Sequence, residues 1–161
     1  MGDRLMIASR ASLLAAATLA LAATLTPQAA AATVQEDVIA LTNAERAKAG
    51  CPALKQNAAL STAAQRHSAD MAAKNFMGHT GSDGSTVVVR IERAGYTRWT
   101  RAAENVAAGY GTAADVVRGW MNSSGHRANI LNCALRDIGV GHQYRQNTTY
   151  GHYWTQDFGT R

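Results

Sequence analysis

Only two cysteines, Cys51 and Cys133, occur in the 161 residues. Two cysteines so far apart exclude a zinc ribbon and a Cys-x-x-Cys redox motif. No His-Glu-x-x-His pattern is present, so the usual zinc-protease helix is excluded. There is no Gly-x-Ser-x-Gly elbow either, which removes the common hydrolase nucleophile. Basic residues outnumber acidic ones, 16 to 11, yet they are scattered. No block of five or six like charges forms, so the charge reads as a solvated surface suited to anionic partners. No nucleic-acid motif accompanies it. Internal repeats and low-complexity linkers are also missing.

Apolar runs are short everywhere except near the N-terminus. Arg4 and Arg10 precede "ASLLAAATLALAATL" (residues 11–25), and "TPQAAAA" follows with small residues. A basic n-region, an apolar h-region and a small-residue site read as a signal peptide over residues 1–32, cleaved after Ala30 or Ala32. The run is short for a membrane span, which takes about 20 apolar residues. No Arg-Arg pair precedes it, so general secretion is expected rather than the twin-arginine route. Residues 33–161 then form one domain of about 130 residues, long enough for a real core. The mature chain is expected to be secreted, extracellular, monomeric and without a membrane span. Export makes a Cys51–Cys133 disulfide the natural reading, with two buried free thiols as the alternative. Such a bridge closes a loop of roughly 80 residues and contributes on the order of 4 kcal/mol.

Helical periodicity dominates the first two thirds of the domain. Thr33 and Glu36 form a capping box before Val34, Val38 and Leu41, and Gly50 stops that helix. Leu60, Ala64, His67 and Met71 make the stripe of a second helix. His67 therefore reads as a histidine on a buried helix face. "MGHTGSDGST" is a loop. "STVVVRIERAGY" is a short helix closed by Gly95, and "TAADVVRGWMNSS" is a further one capped by Thr112. "SGHRANILN" is a helical turn, for which Ser123 or Ser124 is a candidate cap. After Cys133 the period changes to two. "RDIGVGHQYR" and "YGHYWTQDFG" predict an antiparallel hairpin, with a third strand around Glu104. Helices first and strands last predict an α+β fold, a small antiparallel sheet between helical layers.

Three polar residues need a reason. His79 lies in the glycine-rich loop, where function often resides. Glu104 stands among small apolar residues of a strand, so its carboxylate must be paired or protonated. His126 sits in "SSGHRANIL".

"LTNAERAKAGCPAL", "AQRHSADMAAKNFMGHTGSDGS", "RIERAGY", "AENVAAGY", "WMNSSGHRANIL", "DIGVG" and "YWTQDFG" occur in this order. Together they resemble the bacterial branch of the CAP superfamily, the SCP-domain proteins, across nearly all of residues 33–161. The resemblance implies an α-β-α sandwich with a cavity lined by two histidines and two glutamates, which in some members holds zinc. His79 and Glu104 match the first histidine and the first glutamate. At the second glutamate's place, three residues after Trp120, this chain has Ser123, with His126 just beyond. The second histidine's place falls on Tyr153 in an ungapped register, the reading preferred here. A one-residue bulge would put His152 there instead, because a slip of one swaps strand faces. His79, His126 and Glu104 would be the ligands of an open zinc site, or Glu104 would only hydrogen-bond and orient a histidine. The favoured function is a non-enzymatic binding module for a lipid, sterol-like or cell-wall ligand. The alternatives are a metal-dependent extracellular hydrolase and a purely structural or interaction domain.

Overall fold

The structure, a computed structural model, describes Gly2 and residues 31–161. The leader expected over residues 1–32 lies almost wholly outside them. Helix α1 (Val34–Lys48) starts from the Thr33–Glu36 capping box and ends just before Gly50, whose φ is +74°. Strand β1 (Lys55–Gln56) leads to α2 (Ala58–Lys74), whose first amides are capped by the Asn57 side chain. Then come α3 (Val87–Arg93), β2 (Arg101–Ala108), α4 (Ala113–Met121) and α5 (Ser124–Ile130). β3 (Asp137–Tyr144) and β4 (His152–Thr160) close the chain. The expected Thr112 cap forms, but Ser123, at the N-cap of α5, makes no side-chain bond to the helix.

The sheet order is β1-β3-β4-β2. β4 is central and pairs antiparallel with both β2 and β3. The sheet is mixed, not wholly antiparallel, because β1 runs parallel to β3. Two residues are too few to leave a period-2 signal, which is why β1 escapes the sequence pattern.

Helices cover both faces. α1, α4 and α5 pack Val38, Val116, Val117, Trp120 and Ile130 against Ile138, Val140, Trp154 and Phe158. α2 and α3 pack Leu60, Ala63 and Ile91 on the other side, where Met71 and Ala72 also meet Val106 and Tyr153. Gly139 and Gly141 set the distance between α2 and β3. A Cβ on either would lie 2.1 or 2.3 Å from α2 backbone atoms, so only glycine permits this approach.

α1 departs from its simple apolar stripe. Its buried residues are Val38, Ile39, Thr42 and Arg46, whereas Leu41 is exposed. Arg46 has no solvent exposure, and no carboxylate among the described residues pairs with it. All five of its N–H groups instead donate to carbonyls. Nε and Nη2 reach Pro52 O at 3.0 and 2.9 Å. Nη1 reaches Ile130 O and Asn132 O at 2.7 and 2.9 Å, and Nη2 also reaches Leu135 O at 3.1 Å. This one side chain ties the end of α1 to both segments joined by the Cys51–Cys133 disulfide. Substituting Arg46→Met strands those carbonyls, so a loss on the order of 4 kcal/mol is expected in urea unfolding. Arg46→Lys, with three donors in place of five, should recover only part of it. A Met variant as stable as the wild type would contradict this role.

Candidate functional site

Glu104 projects from β2 toward α2 and α3, on the sheet face it shares with Val106 and, across on β4, Asp157, Thr155 and Tyr153. Its side chain is 2% exposed. A charge buried there needs strong partners. Oε2 accepts from Arg90 Nη2 at 2.6 Å, and Oε1 is 2.8 Å from His79 Nδ1. Arg90 is itself buried and fixed, because Nη1 also donates to Ser85 O at 2.8 Å. His79 is the exposed end of this chain, with 59% of its side chain open to solvent. Its loop turns tightly: a Cβ at Gly81 would come within 2.6 Å of Ser85 Oγ.

Asp157 lies directly opposite Glu104 in the β2–β4 register and is wholly buried. Neither of its oxygens is hydrogen-bonded to another group among the described residues. Burial first, and then the neighbouring Glu104, push its carboxyl well above the ordinary carboxylate range, with Arg90 opposing. One arginine thus serves two facing acids, and the balance at Asp157 shifts toward its protonated form.

His126 approaches from α5, on the other side of β2. Asn105 holds that helix in place. Its Nδ2 donates to His126 O at 3.2 Å and to Gln156 Oε1 at 3.1 Å, and its Oδ1 accepts from Asn129 Nδ2 at 2.9 Å. Asn129 also reaches Glu104 O at 3.2 Å, and Gln156 reaches Thr42 Oγ1 at 2.8 Å. Burial, and then the nearby His79, lower the His126 imidazole from its ordinary value.

The residues expected to line one cavity therefore divide. His79 and Glu104 are in contact, whereas His126 touches neither through a side-chain hydrogen bond and only feels the charge of His79. Tyr153 shares the Glu104 face, but it is fully buried in the core with its hydroxyl donating to Asn75 Oδ1 at 2.9 Å. His152 takes the opposite face. It lies 3.0 Å from His142 Nε2, and His142 stacks on Trp154 with centroids 3.9 Å apart. Burial, and then His152, push His142 down to about 4. Ser123 lines a different cleft, with Tyr110, Asp115 and Arg118. Arg90 and Asp157, which the motifs did not single out, are the partners that define the site. Asp157 had a usable signal, because it stands opposite Glu104 once the two strands are paired.

The zinc reading fits this arrangement poorly. Both Glu104 oxygens are committed, one of them to a buried cation that would repel a metal ion. No three His, Cys, Asp or Glu side chains among the described residues converge as metal ligands do.

Asp157 gives a prediction with a definite sign. Its folded-state value lies above its ordinary 3.8, so the stability it contributes is complete below that pH and is lost as the pH rises. Asp157→Asn imitates the protonated form. It should melt above the wild type at pH 7, with the gap closing below about pH 4. Glu104→Gln weakens the pairing of Arg90 and should cost about 3–5 kcal/mol. An Asp157→Asn variant melting below the wild type at neutral pH would contradict the assignment.

The model of the "CAP: Cysteine-rich secretory protein family" matches residues 39–158. An uncharacterized protein of Bacillus subtilis, YkwD, is 40% identical over 124 residues, covering 77% of this chain and 46% of YkwD. The uncharacterized membrane protein YlbC of the same species is 32% identical over 126 residues, 78% of this chain and 34% of YlbC. The chain thus spans less than half the length of either relative. An extracellular protein containing a SCP domain from Bacillus anthracis superposes with a TM-score of 0.71 at 30% identity, covering 80% of this chain and 40% of that one. An outer surface protein of Borrelia burgdorferi gives a TM-score of 0.71 at 21% identity, covering 81% of this chain and 96% of that one, a likeness of fold alone. The chain belongs to the cysteine-rich secretory protein, or CAP, family.

Proposed function

We propose that the chain is an extracellular, non-enzymatic binding module whose ligand is a component of the cell wall. The observation that carries this reading is the closed chain His79–Glu104–Arg90. An enzyme site keeps a base free within reach of a nucleophile or a metal-bound water. Here the carboxylate is spent on its neighbours, and its effect is to hold His79 at the surface. His79, with His126 close by, then offers ring nitrogens to a ligand from a fixed position. The extracellular description of the Bacillus anthracis relative supports placement outside the cell. Among the described residues no helix is long and apolar enough to cross a membrane.

A sterol or acyl chain needs an apolar cavity. The cavity of about 340 Å³ beside Arg90 is instead lined by Arg66, His67, Asp70, Asp83 and Arg93, with Ala63 as its one apolar residue. The charged groups of Arg66, Asp70, Asp83 and Arg93 can hydrogen-bond a hydrophilic wall polymer. The test is co-sedimentation of the purified protein with insoluble cell wall and, separately, with phospholipid vesicles. We expect saturable retention on wall, little on vesicles, and no change on adding EDTA. The double variant His79→Ala, His126→Ala should weaken retention about tenfold, the cost of losing one to two ordinary hydrogen bonds. Retention on vesicles alone, or retention abolished by EDTA, would overturn the reading.

A further inference from the structure

Away from the Glu104 face, β3 and β4 carry a histidine pair that wall binding does not use. In their register His142 stands opposite Trp154, and Tyr144 opposite His152. The two histidines are therefore diagonal neighbours on one face of adjacent strands. His142 Nε2 and His152 Nδ1 are 3.0 Å apart, and the ring centroids are 5.3 Å apart with the planes 12° from parallel. Both residues are half-buried. Their outer nitrogens, His142 Nδ1 and His152 Nε2, make no hydrogen bond among the described residues and are not sealed in the core. Water therefore reaches the pair.

The pair is held in place from several sides. His142 stacks on Trp154 with centroids 3.9 Å apart. Its backbone is clamped from α2, where Gln65 Nε2 donates to His142 O and Gln65 Oε1 accepts from His142 N, both at 3.0 Å. Tyr144 flanks His152 with ring centroids 4.7 Å apart. Burial, and then His152, hold the His142 imidazole at about 4, so it is neutral at pH 7. With both rings neutral, one facing nitrogen carries a proton and the other a lone pair. Moving that proton to the outer nitrogen of the same ring costs no net charge. It leaves two lone pairs side by side, which is stable only with a cation between them.

Imidazole is an ordinary ligand of divalent transition metals, whereas Mg2+ takes oxygen. Two imidazoles on one tetrahedral Zn2+, bonded at about 2.0–2.1 Å, have nitrogens roughly 3.3 Å apart and ring centres roughly 5.2 Å apart. This pair already has that ring spacing. Its nitrogens need to part by only about 0.3 Å as the rings tilt toward the ion. We infer that His142 Nε2 and His152 Nδ1 form a two-histidine site for Zn2+, with water in the remaining positions. The site lies on the opposite sheet face from Glu104 and Asp157 and goes beyond the wall-binding reading.

The experiment is a Zn2+ titration of the purified nitrogen-15-labelled protein, followed at the imidazole nitrogens, with Mg2+ in parallel. The expected result is a saturable shift of His142 Nε2 and His152 Nδ1 with Zn2+, and none with Mg2+. His152→Gln, at the first position of β4, should abolish that saturation while the protein stays folded. His142→Gln should do the same. The double variant His79→Ala, His126→Ala should bind Zn2+ as tightly as the wild type. Zn2+ that moves the His79 and His126 signals and leaves the pair unmoved would overturn the inference. So would a folded His152→Gln protein that keeps the wild-type affinity, or an equal response to Mg2+.

Discussion

A carboxylate placed on the inner face of a strand governs how this protein's polar residues are arranged. Glu104 is buried where α2 and α3 cross the sheet, and it is stable there only because Arg90 meets one oxygen and His79 the other. That requirement brings α3 onto the edge of the sheet and draws the glycine-rich loop down over it. It also decides the state of Asp157, which faces the same cation from the next strand and has no hydrogen-bond partner of its own among the described residues.

The rest of the fold serves to make that face rigid. Arg46 gathers five hydrogen bonds to carbonyls from the end of α5 and from the two cysteine loops. The disulfide closes the same junction across 82 residues of sequence. Asn105 and Asn129 pin α5 against β2, which fixes His126. Gly139 and Gly141 allow α2 to lie directly on β3, and α2 carries His67 and Asp70 into the neighbouring cavity. Each of these contacts joins elements far apart in sequence. Together they order the loop and the helix turn that present the exposed side chains.

Much of this was legible in the residues. The caps at Thr33 and Thr112, the α2 stripe through His67, the final hairpin and the disulfide follow from local chemistry or from the leader-like N-terminal sequence. The pairing of Glu104 was legible only as a need, since a buried acid demands a partner without naming it. Arg90 supplies that partner from a helix that reads as an ordinary amphipathic turn. Arg46 was hidden for the same reason: its four acceptors are backbone atoms, which leave no trace in side-chain identity. Ser123, which falls at a family position by spacing, and His152, which would reach one only through a one-residue bulge, stand elsewhere, because the strand register is regular and a helix's start depends on backbone direction. β1 was too short to register at all.

The account turns on one buried acid remaining neutral beside a second that is paired. The direct measurement is a carbon-13 NMR titration of the aspartate and glutamate side-chain carboxyls in the folded protein. The account predicts that the Asp157 carboxyl carbon keeps its protonated shift at pH 7, while the exposed aspartates have already ionised. An Asp157 carboxyl that ionises with those exposed groups would contradict it, and the fixed Glu104–Arg90–His79 chain would have to be redrawn.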